Sequence, residues 1–302
     1  MSKPGIVAPA QVAIDRHMDT PEPAAPARGG FWLAFAAIAW LAVTLWSTRA
    51  GLADDADESV ALNEAALRLP SVVQASLLAG AAVGYAIAGR LSTTSRRAVG
   101  GLIVGLLIGV LASGAVLLAH GMPARAAGVA AVCVGLGGAV GGALGSLRPT
   151  ELIGAALPAA IAVTGVDFVL NLLRSSIIGI FGDATTQAEI VSRDGLFLGS
   201  KALLVGLVAG TIAYALLRRT SVKWPVYVAA GGGAGIIIGL SELLTRTVGA
   251  QIFSLASDVS DADRTVQAWV GGARLNHALV VLFVGALLAM ILHGRTLGKG
   301  RA

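Results

Sequence analysis

With 56% of its 302 residues hydrophobic, 13% charged and a mean hydropathy of +0.80, the chain lacks the polar surface that a water-soluble domain of this size needs. A net charge of +5 and a pI near 9.9 would suggest nucleic acid in a soluble protein, but here the basic residues punctuate apolar runs, so the lipid bilayer is the expected partner and nucleic acid is not. The single Cys133 excludes an internal disulfide, and four scattered histidines without HExxH spacing give no reason to expect a metal or other cofactor.

The first thirty residues carry five prolines among alanines and small polar residues, a composition that cannot bury enough apolar area to order itself, and are read as a disordered tail. The apolar run that follows could be mistaken for a cleaved leader with a small-residue site near Ala50 or Ala53. The length of the tail and a repeat described below argue that this run is retained.

A helix crosses about 30 Å of hydrocarbon with roughly 20 apolar residues. Runs of that size occur at 31–47, 71–91, 99–119, 126–147, 152–173, 196–217, 225–244 and 275–293. They are continuous rather than alternating, which favours helices over a barrel, so the expected fold class is an all-α polytopic membrane protein of about eight transmembrane helices. If the eight alternate, 13 of the 22 basic residues fall on the side of the termini, whereas eleven acidic residues lie in the opposite loops. That bias predicts cytoplasmic termini. Eighteen arginines against four lysines, with abundant Ala and Gly, suggest a GC-rich genome and a bacterial inner membrane.

Two segments between runs read as structured. Residues 54–69 start acidic, as a helix amino terminus prefers, and end before Pro70. Ile252, Leu255, Val259, Val266 and Trp269 follow helical spacing and suggest an amphipathic helix at the outer interface, or a loop helix packed on protein.

Matched spacing suggests a parallel 4+4 internal repeat of units 31–150 and 151–302. Arg49, Glu64 and Arg68 precede Arg174, Glu189 and Arg193 by 125 residues; Gly80 and Gly84 match Gly206 and Gly210. Gly101, Gly105 and Gly109 match Gly231, Gly235 and Gly239 at four-residue intervals. Four-spaced glycines let another backbone approach one helix face, so helix packing is their default role. The alternative is that the Gly231–Gly232–Gly233 run unwinds to expose carbonyls.

Ionisable residues inside apolar runs need partners or water, and Asp167, Lys201 and Glu242 are the three present. Asn171 and Arg174 continue the Asp167 stripe at i+4 and i+7, and His277 lies at a similar depth. The repeat-related positions Ala42, Trp46, Ser76 and Ala112 are without charge, so polarity concentrates in the second half. These six residues predict an outward-facing polar cavity for a small solute or ion, against the plainer alternative of interhelical ion pairs such as Asp167 with Lys201. A transporter or channel is the first functional expectation. The second is a non-catalytic membrane subunit of an envelope-assembly or transport complex, partnered by another membrane protein or by copies of itself. Ser113–Gly114 lacks a nucleophile elbow and a base, and Gly298–Lys299–Gly300 lacks a phosphate-loop spacing, so no catalytic residues are assigned.

Overall fold

The computed structural model describes residues 29–53, 58–91, 93–118, 124–180, 186–257 and 261–297. The amino-terminal tail, apart from its last two residues, lies outside this set.

All described elements are helices: α1 (Gly30–Ala53), α2 (Glu58–Ala88), α3 (Thr94–Leu117), α4 (Ala124–Gly145), α5 (Thr150–Leu172), α6 (Arg174–Ile180), α7 (Gln187–Leu217), α8 (Trp224–Thr247), α9 (Ala250–Ser257) and α10 (Asp261–Leu297). Eight of them, all but α6 and α9, are long and apolar enough to cross a membrane, and each contains most of one apolar run. The chain is an integral, multi-pass membrane protein. In hydrocarbon every backbone N–H and C=O must be satisfied within the chain, which is why continuous apolar runs become helices. Exposed Val99, Leu102, Ile103, Leu106, Val110 and Leu111 on α3 form a face suited to lipid.

Short connections make successive spans antiparallel. One end of the bundle collects Arg90, Arg96, Arg97, Arg148, Arg218, Arg219, Lys223 and Arg295, and is called the basic end; α6 and α9 lie at the other.

Three spans, α2, α7 and α10, start about two turns or more before their apolar runs. Helix α2 starts at Glu58 and continues through Pro70, so residues 58–69 are its first turns rather than a separate segment. Its flank is buried at Leu62, Ala65, Ala66 and Leu69, and tertiary packing carries the helix past a proline that would otherwise end it. The expected amphipathic helix is divided between α9 and the start of α10. Ile252 is fully buried in the core beside Leu69 and Val73, so α9 is packed on protein there.

The glycines explain how the spans approach. On α3, Gly101, Gly105 and Gly109 face α4 so closely that a Cβ on Gly105 would lie 2.6 Å from Gly142 Cα, and one on Gly84 of α2 would lie 2.6 Å from Gly142 O. In the second half, Gly231 and Gly235 of α8 face Gly285 and Leu282 of α10, and a Cβ on Gly210 of α7 would meet Gly285 O at 2.6 Å. Contact loosens at Gly239, where a Cβ would reach only Ala278 Cβ at 4.0 Å. The Gly231–Gly232–Gly233 run is regular helix. Between the halves, α2 packs against α8, α5 and α9, with no comparable α3–α7 contact among the described residues.

Candidate functional site

A cavity of about 510 Å³ opens between α1, α2, α5, α7, α8 and α10, towards the α6/α9 end. All six polar residues expected from the sequence, Asp167, Asn171, Arg174, Lys201, Glu242 and His277, line it.

Helices α5 and α7 bring an ionic cluster together. Lys201 Nζ lies 3.0 Å from Asp167 Oδ1 and donates to Asn171 Oδ1 at 3.3 Å, while Asn171 Nδ2 donates to Asp167 Oδ2 at 3.2 Å. The Asp167–Asn171 bond is the i, i+4 relation of one helical face. From α10, His277 Nε2 comes within 3.6 Å of Asp167 Oδ1. Neither Lys201 nor His277 meets Asp167 Oδ1 with hydrogen-bond geometry, so this buried oxygen, like His277 Nδ1, has no hydrogen-bond partner.

The remaining charges are held singly. Glu242, 5% exposed, accepts from Arg246 Nε at 2.8 Å, and Arg246 Nη2 donates onward to Gly271 O at 2.6 Å. Arg174 pairs with Asp194 of α7 at 2.9 Å rather than with Asp167.

Four contributors are not assigned to the cavity from the sequence, where Arg68 serves only as a marker of the repeat. Gln74 of α2 donates to Thr164 Oγ1 of α5 at 3.3 Å; a search for charged residues passes over a lone amide in an apolar run. Arg68 pairs with Glu64 at 2.8 Å and donates to Ser47 O. Arg274 precedes the last apolar run by one residue and so looked like a loop residue. It is half-buried and donates to the Leu67 carbonyl of α2, one turn before Pro70. The spacing Val270, Arg274, His277, Val281 carries the signal. Trp40 of α1 stacks edge-on against Phe168 of α5, with ring centroids 5.4 Å apart.

Below the polar wall the bundle is sealed. Four residues towards the basic end from Gln74, Asp167, Lys201, Ser241 and His277 stand Leu78, Val163, Val205, Ile237 and Val281. Each of these five is buried, and all belong to one apolar cluster. One turn of helix therefore separates a charged layer from a dry one.

Chemically, the wall offers fixed cations, carboxylates and aromatic faces, which suits binding of a polar ligand. Among the described residues no group of three His, Cys, Asp or Glu side chains could hold a metal ion. No protein-family model, curated protein or solved structure matches the chain.

Proposed function

We propose that this membrane protein binds a small polar or charged solute in the cavity and translocates it, the present arrangement being open at one end and sealed at the other. The observation that carries the reading is the paired layers: a ring of polar residues from α2, α5, α7, α8 and α10 stands one turn above a ring of buried apolar ones. Ionisable groups at membrane depth are costly unless they serve a pathway or a partner, and this wall leaves two buried polar atoms without a hydrogen bond. The plainer reading, ion pairs for stability alone, accounts for Asp167 with Lys201 but not for the space beside them.

The topology belongs to the same proposal. With the basic end cytoplasmic, in a bacterial inner membrane, both termini face inward and the cavity opens outward. Residues 31–150 and 151–302 are two duplicated four-span units behind a short cytoplasmic tail. In support, the second and third spans of each half lay their glycines on the fourth: Gly84 and Gly105 on Gly142, Gly210 and Gly231 on Gly285. The unequal contacts between halves mean that the units meet heterologously. Because these glycine faces are consumed within the chain, they no longer argue for a partner subunit.

Cysteine accessibility tests the reading. In a Cys133→Ala background, Ser71→Cys and Thr44→Cys should react with a membrane-impermeant maleimide added outside, and Val205→Cys should not. Proteoliposomes challenged with small anions and zwitterions on a solid-supported membrane should then give currents that Asp167→Asn abolishes. Unreactive Ser71→Cys and Thr44→Cys would remove the cavity; full labelling without any current would leave a binding protein that does not translocate.

A further inference from the structure

A second, smaller cavity of about 280 Å³ lies between α1 and α5. It is lined by Ala36, Ala39, Leu78, Ile161 and Gly165 among others, and shares Trp40, Val43 and Thr164 with the polar cavity. From Ala36 to Val43 it follows α1 for about 10 Å, at 1.5 Å per residue. An apolar groove that leads into a charged pocket through common wall residues has the shape of an amphiphile.

The charges indicate which amphiphile. Of the cations on the polar wall, Arg68, Arg174 and Lys201 each touch a carboxylate. Arg274 touches none among the described residues, and its bond to Leu67 O uses one of a guanidinium's five N–H donors. Arg274 therefore has N–H donors to spare, and the nearby Glu242 carboxylate, held by Arg246, acts on it without a salt bridge among the described residues. One helical turn away on the same face stands His277, whose Nδ1 has no hydrogen bond, beside Asp167 Oδ1, which is ion-paired with Lys201 but likewise accepts no hydrogen bond. Side chains three apart on a helix sit about 5–6 Å from each other, the reach of a short polyol. An anion at Arg274 with a hydroxyl at Asp167 and His277 would satisfy all three groups.

Resting on the solute-binding reading above, we propose that the two cavities together hold one anionic phospholipid with a hydroxylated headgroup, of the phosphatidylglycerol type. The phosphate pairs with Arg274, a headgroup hydroxyl donates to Asp167 Oδ1, and one acyl chain lies in the α1/α5 groove behind the Trp40–Phe168 pair. The lipid comes from the leaflet at the α6/α9 end, which is the outer one in the proposed topology.

Native mass spectrometry of the purified full chain tests this, with dioleoyl phosphatidylglycerol, dioleoyl phosphatidylcholine and glycerol 1-phosphate as probes. The parent should retain one phosphatidylglycerol about tenfold better than phosphatidylcholine, the scale of one charge-assisted interaction, and Arg274→Gln should erase the preference. Because Arg274 also bonds α2, a second variant acts from the groove. A Cβ at Gly165 meets nothing within 4 Å, so Gly165→Leu fills the groove without forcing the backbone, and retention should fall about tenfold. Gly114→Leu, equally unobstructed but on α3 away from both cavities, should retain lipid as the parent does. Equal retention of the two lipids by the parent, or unaltered retention by Gly165→Leu, overturns the proposal. Displacement of phosphatidylglycerol by equimolar glycerol 1-phosphate overturns the lipid assignment but leaves the solute-binding reading standing, which cysteine labelling decides separately.

Discussion

Lys201 of α7 meets Asp167 of α5 at 3.0 Å with only 9% of the lysine side chain exposed, so two spans of the second half are joined by opposite charges at membrane depth. Removing one partner strands the other. Asp167 is 28% exposed, so we expect Lys201→Met or Asp167→Asn to cost about 2 kcal/mol, less than the roughly 3–5 kcal/mol of fully buried pairs. The double variant should recover most of that loss, giving a coupling above about 1 kcal/mol in detergent unfolding. Additive losses would show that the contact is energetically idle. If the cavity serves transport, the double variant regains stability and remains without current.

The glycine seams yield a graded prediction. Gly105→Leu and Gly235→Leu drive a side chain into Gly142 and Leu282 respectively, and overpacking of this kind costs about 1–3 kcal/mol or more. Gly239→Ala should be neutral, because only Ala278 stands near, at 4.0 Å. Thermal stability of the three variants in detergent reads the order directly; a Gly239→Ala loss equal to that of Gly235→Leu would refute it.

Topology has its own test. Reporter fusions after Arg97 and Arg219 should behave as cytoplasmic, and fusions at Asp57 and Asp258 as external, as the excess of basic residues at the termini side requires. An external signal after Arg219 would reverse the whole arrangement, including the direction in which the cavity opens.

At the start of α7, Thr186 caps the helix by accepting from Glu189 N–H at 3.3 Å while Glu189 accepts from Thr186 N–H at 3.2 Å. Thr186→Ala should weaken this end by about 1 kcal/mol. Amide exchange in the first turns of α7 should rise by about fivefold, with no change around Lys201. Equal protection in parent and variant would mean that the cap contributes nothing.

Much of the architecture was legible because lipid enforces one rule on every span: apolar length becomes helix. What that rule hides is where a span continues after its first charge. Glu64, Arg68 and Arg274 mark the edges of apolar runs, yet they sit within α2 and α10, because those flanks pack on other helices instead of ending in water. The polar stripe from Asp167 was visible because α5 carries both Asp167 and Asn171, with Arg174 opening α6 directly after it. Gln74, Arg274 and Trp40 reach the same cavity from three other helices, and no local pattern joins residues that meet only through tertiary packing.

The Arg274–Leu67 bond ties α10 to α2 one turn before Pro70, beside the Ala66 carbonyl that the proline deprives of its helical donor. Membrane helices tolerate such a gap when a neighbour supplies the missing hydrogen bonds. The guanidinium thus has two claims on it, the α2 backbone on one side and the open cavity on the other. In the proposed ligand-bound state, a headgroup that draws on Arg274 competes with the α2 backbone for one guanidinium, so occupancy of the cavity and the α2–α10 contact share a single side chain.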